Sequence, residues 1–346
     1  MKLLAGSYAK KASHAGKNKF RLSRIIMLIL VFSVVTLLLF SLLSPIPISM
    51  LLRSMLSNGV AVAPENYEET EKQVTAIKDL TYPSLYQDNS ADIYFPKGGG
   101  GPFPVVLWVH GGAFVGGDKR DVEIYATTLA SEGLAVICIN YQLAPEAKYP
   151  APIIQTEEAY LWTRDMAFKY PFDTERLILA GDSAGAQIVT QFTAIQCNKE
   201  YANDMGFKQT VPQGTLKASL LFCGPFDAAK ISSSSSSLIG FLMGNAACAY
   251  FGSRDWPERF SSQATIASHI TSDFPPTFIS DGNTASFEDH GRDFADVLRK
   301  NKVPVETYFV DPGTEKTNHE YQFVMNTPAG IESFQKTLDF INRYIG

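Results

Sequence analysis

The chain of 346 residues has no acidic residue before Glu65. It is also poor in cysteine and histidine, with four of one and five of the other. The cysteines Cys138, Cys197, Cys223 and Cys248 lie far apart, never in C-x-x-C spacing. That pattern argues against a zinc or dithiol motif and reads as buried thiols. No G-x-G-x-x-G or P-loop stretch occurs, so nothing marks a cradle for nucleotide phosphates. A formal net charge of -5 argues against nucleic acid as the main partner. With 45% hydrophobic and 19% charged residues, the chain has enough apolar material to fold.

The acid-free start is strongly basic. Residues 1–24 hold seven cations: Lys2, Lys10, Lys11, Lys17, Lys19, Arg21 and Arg24. Residues 25–43, IIMLILVFSVVTLLLFSLL, then carry no charge. As a helix this run spans roughly 28 Å, close to the hydrocarbon thickness of a bilayer. The sequence therefore predicts a single transmembrane anchor with residues 1–24 as a cytoplasmic tail and the rest of the chain outside the cell membrane. A cleaved signal peptide is the alternative, with Ala61-Val62-Ala63 as its cleavage site, although the apolar run is long for one.

Residues 44–80 read as a juxtamembrane or cap segment and 81–346 as one catalytic domain. Apolar runs of strand length, 105–109, 135–140, 177–180, 218–222, 276–280 and 305–310, alternate with helical stretches. This alternation predicts a mostly parallel central sheet with helices on both faces. The segment 225–273 breaks the rhythm with six serines, Ser232 to Ser237, and reads as an insertion over the site.

Three motifs carry chemistry. Gly181-Asp182-Ser183-Ala184-Gly185 falls between a predicted buried strand and a helix, the setting of a nucleophile elbow. A serine needs a base to become nucleophilic, and a tight turn would expose it. His110-Gly111-Gly112-Ala113-Phe114 follows the strand at 105–109. The N–H groups of Gly111 and Gly112, with that of Ala184, are the expected oxyanion donors. His110 is expected to brace this loop. Of the five histidines only His319 follows the last strand, where the base of an α/β hydrolase stands.

HGGAF, the stretch Tyr141-Gln142-Leu143-Ala144-Pro145-Glu146, GDSAG and the late Asn318-His319-Glu320-Tyr321 together resemble the hormone-sensitive-lipase-like esterases of the α/β-hydrolase superfamily. The resemblance runs from about residue 80 onward. It implies an α/β-hydrolase fold with a helical cap, and hydrolysis of carboxylic esters without metal or cofactor. Short-chain and lipid-like acyl esters both remain open. Two alternatives are a deacetylase of cell-wall carbohydrate and an inactive membrane-tethered binding protein on the same scaffold.

The chain departs from the family pattern at two places. Gln142 stands where the family often shows arginine. The family's aspartate after the seventh strand aligns with Ala285, so the acid of the triad is displaced. Glu288, one turn further on, is the leading choice, with Asp281 and Asp289 as alternatives. Ser286 reads as a helix N-cap paired with Asp289.

Overall fold

The computed structural model describes residues 21–345, apart from 38, 41–42, 58, 228–229 and 231–237. Residues Met1–Ile48 and Ser49–Gly346 form separate units. In the first, residues 21–37 are helical with exposed side chains. Among the described residues no helix is long and apolar enough to cross a membrane. The expected span 25–43 includes positions 38, 41 and 42, which lie outside the described residues. So do most of the basic tail and the run Ser232–Ser237.

The second unit is built on an eight-stranded sheet: β1 (Val74–Thr81), β2 (Ser90–Pro96), β3 (Phe103–Val109), β4 (Ala135–Ile139), β5 (Phe172–Asp182), β6 (Leu216–Phe222), β7 (Thr277–Asp281) and β8 (Val305–Phe309). Their spatial order is β1-β2-β4-β3-β5-β6-β7-β8. Strands β3 to β8 pair parallel, whereas β1 pairs with β2, and β2 with β4, antiparallel. Every residue of β3 and β4 is buried. These strands are continuous apolar runs, which suits strands covered on both faces.

The edge strand β1 corrects one expectation. Residues 74–80, assigned to the cap, belong to the sheet. Half-buried Thr75 and Ile77 alternate with exposed Ala76 and Lys78, the mark of a strand with one face in solvent.

Trp108 of β3, Ile178 and Ala180 of β5 and Phe222 of β6 share one core with the helices Glu123–Ser131 and Pro328–Ile345. The Trp108 ring lies 5.4 Å from Tyr125, 5.7 Å from Phe222 and 6.0 Å from Phe323. The helices Ala151–Met166 and Ala184–Cys197 pack against each other and against the sheet. Every residue from Ala184 to Gln196 is buried. Between β6 and β7 the insertion supplies the helices Leu238–Phe251 and Trp256–Ala264.

Register then fixes where chemistry can occur. Val109 pairs with Gly181, Asp182 with Phe222, and Phe222 with Ser280. The carboxyl ends of β3, β5, β6 and β7 are therefore level. The segments that leave them, at His110, Ser183, Cys223 and Gly282, emerge side by side, as ligand-binding loops do in open parallel sheets.

Above them sits the end of the helix Ile46–Met55. Its Arg53 donates to the carbonyls of Val115 and Ala144 and pairs with Glu146 at 2.6 Å. One guanidinium thus ties this segment to the loop after β3 and to the Tyr141–Glu146 stretch.

Candidate active site

Ser183 follows β5 and precedes the helix Ala184–Cys197 with φ 49° and ψ -118°. A side chain in this region costs on the order of 1–3 kcal/mol and persists only where the surroundings hold it. Here the Ser183 N–H donates to the Phe222 carbonyl at 2.7 Å. Gly185 is required by close approach, since a Cβ there would lie 2.0 Å from the Val109 carbonyl oxygen. The turn that exposes Ser183 is thus set by the neighbouring strands.

His319 lies in the loop after β8. Its Nε2 is 3.0 Å from Ser183 Oγ, and its Nδ1 is 2.7 Å from Ser286 Oγ. Ser286 also donates to Asp281 Oδ1. The expected acid Glu288 is elsewhere: it opens the helix Glu288–Lys300 and pairs with Arg292 one turn on. Asp289 lines the neighbouring cavity. Neither is hydrogen-bonded to His319. Ser286 is not a cap, because Phe287 holds the N-cap position and no side chain caps it.

The glycine loop also needs a correction. The N–H of Gly111 donates to Asp182 Oδ2 at 2.7 Å, so it is not free for an oxyanion. Asp182 Oδ1 accepts from Trp108 Nε1, also at 2.7 Å. The amides of Gly112, Ala113 and Ala184 have no hydrogen-bond acceptor among the described residues. Ala113 has φ 54°. His110 is buried, stacks on Tyr141 at 4.6 Å, and its Nδ1 lies 2.6 Å from the Gly111 carbonyl oxygen. That is the bracing position expected of it.

Burial dominates the electrostatics. It lowers the His319 imidazole to about 4, which keeps the ring neutral. It raises Asp281 to about 7, against hydrogen bonds from Ser286 and Cys223 and the amides of Gly282 and Phe287. Asp182 is raised to about 6. Glu320 is held well above the ordinary carboxylate range, first by burial and then by Asp182. Its Oε1 lies 3.7 Å from His319 Nε2. Glu320 has φ 60°, and its N–H donates to Cys223 Sγ at 3.3 Å.

The only metal-type grouping among the described residues is Cys223, Asp281 and His319, whose ligand atoms fall within 4.8 Å of one another. Each has a bond elsewhere: His319 to Ser183 and Ser286, Asp281 to Ser286, and Cys223 to Glu320 and Gln322. Sequence reasoning missed Ser286, Asp182, Glu320 and Ala113. The vacancy at Ala285 was the one signal that pointed near Ser286.

Two spaces adjoin Ser183. A cavity of about 910 Å³ is lined by His319, Ser286, Glu320, Phe323, Met55 and Val60, among others. A second pocket, of about 20 Å³, is lined by Phe114, Ala184, Ala246 and Ala247, with Met243 shared by both.

The BD-FAE family profile matches residues 91–287, more than half of the chain. The chain belongs to the BD-FAE family. This BD-FAE chain is 34% identical over 134 residues to a putative α/β hydrolase, R526, of Acanthamoeba polyphaga mimivirus, covering 36% of this chain and 39% of that protein. It is 28% identical over 207 residues to esterase LipI of Mycobacterium tuberculosis, covering 59% and 62%. Bovine hormone-sensitive lipase is 36% identical over 85 residues, covering 24% and 11%. The chain thus spans less than two thirds of the length of these curated relatives. Among solved structures, esterase B of Lactobacillus rhamnosis superposes with a TM-score of 0.70 at 20% identity, covering 82% of this chain and 88% of that one. That likeness is one of fold: the BD-FAE chain has the α/β-hydrolase fold of the hormone-sensitive-lipase-like esterases.

Proposed function

We propose that this chain hydrolyses carboxylic esters, with Ser183 as nucleophile and His319 as general base. One observation carries the reading: Ser183 Oγ stands 3.0 Å from His319 Nε2. His319 takes the serine proton at Nε2 as Oγ attacks the ester carbonyl. The free amides of Gly112, Ala113 and Ala184 receive the oxyanion, with Ala113 in the place first expected for Gly111. His319 returns the proton to the leaving alcohol. It then activates water, which releases the acid and restores Ser183.

The two spaces favour a short acyl group on a larger alcohol. The leaving oxygen must face His319, and His319 lines the cavity of about 910 Å³. The pocket of about 20 Å³ lies against Ala184, away from His319, and has room for about one methyl group. Acetyl esters of bulky alcohols fit best, which also keeps carbohydrate deacetylation within the reading. The uncharged run 25–43 behind seven cations supports a membrane anchor with the catalytic unit outside.

The test is hydrolysis of p-nitrophenyl acetate, butyrate and octanoate by the full chain and by Ser183→Ala. The expected result is turnover by the parent alone, with kcat/KM falling from acetate to octanoate by about tenfold or more. Equal rates for parent and variant would overturn the reading and return weight to a binding role.

A further inference from the structure

We propose that the acidic arm behind His319 is a two-residue unit, in which Asp281 acts on the imidazole through the hydroxyl of Ser286; this rests on the Ser183–His319 reading above.

The position where the family carries its aspartate holds Ala285, which has no group to offer. The buried carboxylate on the Nδ1 side of the imidazole is Asp281, at the end of β7 and 1% exposed. It has no direct hydrogen bond to His319. Ser286 fills the gap, with Oγ bonded to both.

The loop from Gly282 to Ser286 is tied to the histidine loop, so this contact is built. Asn283 donates through Nδ2 to the carbonyls of Val310 and Glu315, and its Oδ1 accepts from the Thr317 N–H. Thr284 N–H donates to the Thr317 carbonyl at 3.0 Å. Gly282 is packed so closely that a Cβ would lie 2.1 Å from the Asn318 carbonyl oxygen. Asp281 Oδ2 has no hydrogen-bond partner of normal geometry among the described residues. Of the groups that hold the carboxylate's charge, Ser286 comes first, ahead of Cys223 and the amides of Gly282 and Phe287.

A hydroxyl has one proton. When Asp281 is ionised, Ser286 gives that proton to Oδ1 and can only accept from the imidazole. His319 must then carry its hydrogen on Nδ1, and Nε2 keeps the lone pair that takes the Ser183 proton. During attack the Ser183 proton moves to Nε2. The Nδ1 proton stays on the ring, the Ser286 proton stays on Oγ, and Asp281 balances the imidazolium charge through the bridge. When Asp281 is protonated the chain of bonds runs the other way. Asp281 donates to Ser286, Ser286 donates to Nδ1, and the hydrogen moves to Nε2, the tautomer that cannot act as base. Ser286 is thus a positioning residue that sets the tautomer.

The experiment is steady-state hydrolysis of p-nitrophenyl acetate by the full chain and by Ser286→Ala, Ser286→Thr, Asp281→Asn, the double variant Ser286→Ala/Asp281→Asn, and Glu288→Gln. Ser286→Ala and Asp281→Asn should each lower kcat by about 100-fold or more at little change in KM, in line with tautomer loss in other triads. The double variant should be no worse than the poorer single, because the two residues act as one unit. Ser286→Thr keeps the hydroxyl and should retain most of the rate. Glu288→Gln should match the parent.

The acid limb of the pH profile adds a readout that a purely structural role would leave in place. The titratable groups facing His319 are Asp281 from β7, Cys223 after β6, Glu320 beside it and, past Glu320, Asp182 from β5. The limb should shift in Ser286→Ala and stay put in Ser286→Thr. A downfield Nδ1 proton resonance from His319, present in Ser183→Ala and absent in Ser286→Ala, reads the bridge without any turnover.

Ser286→Ala within about twofold of an active parent, or single losses that multiply in the double variant, would overturn the relay while leaving the esterase reading intact. A parent no faster than Ser183→Ala would remove the esterase reading and the relay with it.

Discussion

The N–H of Gly111 and the carboxylate of Asp182 are joined at 2.7 Å, and this bond ties the loop after β3 to the nucleophile elbow. Asp182 also accepts from Trp108 Nε1, so one buried side chain spans the core, the elbow and the glycine loop. Asp182→Asn can replace only one of the two acceptors, leaving a buried donor unpaired. The expected cost is about 1–3 kcal/mol of stability. Displacement of Gly112 and Ala113 should also lower kcat about tenfold or more. Trp108→Phe removes the donor instead and should cost a similar amount of stability with a smaller effect on kcat. Thermal denaturation and p-nitrophenyl acetate kinetics check both. A larger kcat loss in Trp108→Phe than in Asp182→Asn would contradict the tie.

Ser183, His319 and the parallel sheet were legible because each leaves a local mark. An apolar strand followed by G-x-S-x-G, and a histidine after the last strand, need no knowledge of distant contacts. The strands β1 and β2 leave no such mark: β1, at the sheet edge, mixes polar with apolar residues, and the buried Asp92 interrupts the apolar run of β2. Gly111 leaves a mark that misleads. Its motif announces a donor, but the bond to Asp182 spends that N–H, and the pairing spans 71 residues. Helical spacing favoured Glu288 as the acid. Arg292, four residues on, takes that carboxylate instead.

Met243 stands in the wall shared by the large cavity and the small pocket. Met243→Ala should open the small pocket into the cavity and admit longer acyl chains. The ratio of kcat/KM for octanoate over acetate should rise about tenfold, since each added methylene that finds apolar space is worth roughly 0.8 kcal/mol. An unchanged chain-length profile would place the acyl group elsewhere.

The backbone at Ser183 is strained because φ is 49°. Glycine adopts that conformation without a Cβ penalty. Ser183→Gly and Ser183→Ala both remove the hydroxyl, so any difference between them reports the backbone. Ser183→Gly should be the more stable by about 1 kcal/mol in denaturant unfolding, with the strain relieved outweighing the extra entropy of the unfolded chain. Ser183→Ala matching or exceeding it would mean that the surroundings hold the turn at little cost.

Glu320 and Asp182 set the pH dependence of stability around the site. Burial and the adjoining Asp182 hold Glu320 well above its ordinary value of 4.5. The folded state therefore keeps a proton that the unfolded state releases. Where the native state binds more protons, stability falls as pH rises. The loss begins near the ordinary carboxylate value and continues until the folded carboxyl itself ionises. Glu320→Gln keeps the shape and a donor toward Asp182 but has no proton to lose. Its melting temperature relative to the parent should climb as pH is raised from about 4.5, and the gap should be smallest at the acid end. A gap that is constant with pH, or one that closes on raising it, would show that Glu320 is ionised in the folded protein. In that case a second negative charge would sit beside His319 Nε2 during turnover, and Glu320→Gln would then lower kcat instead of leaving it near the parent value.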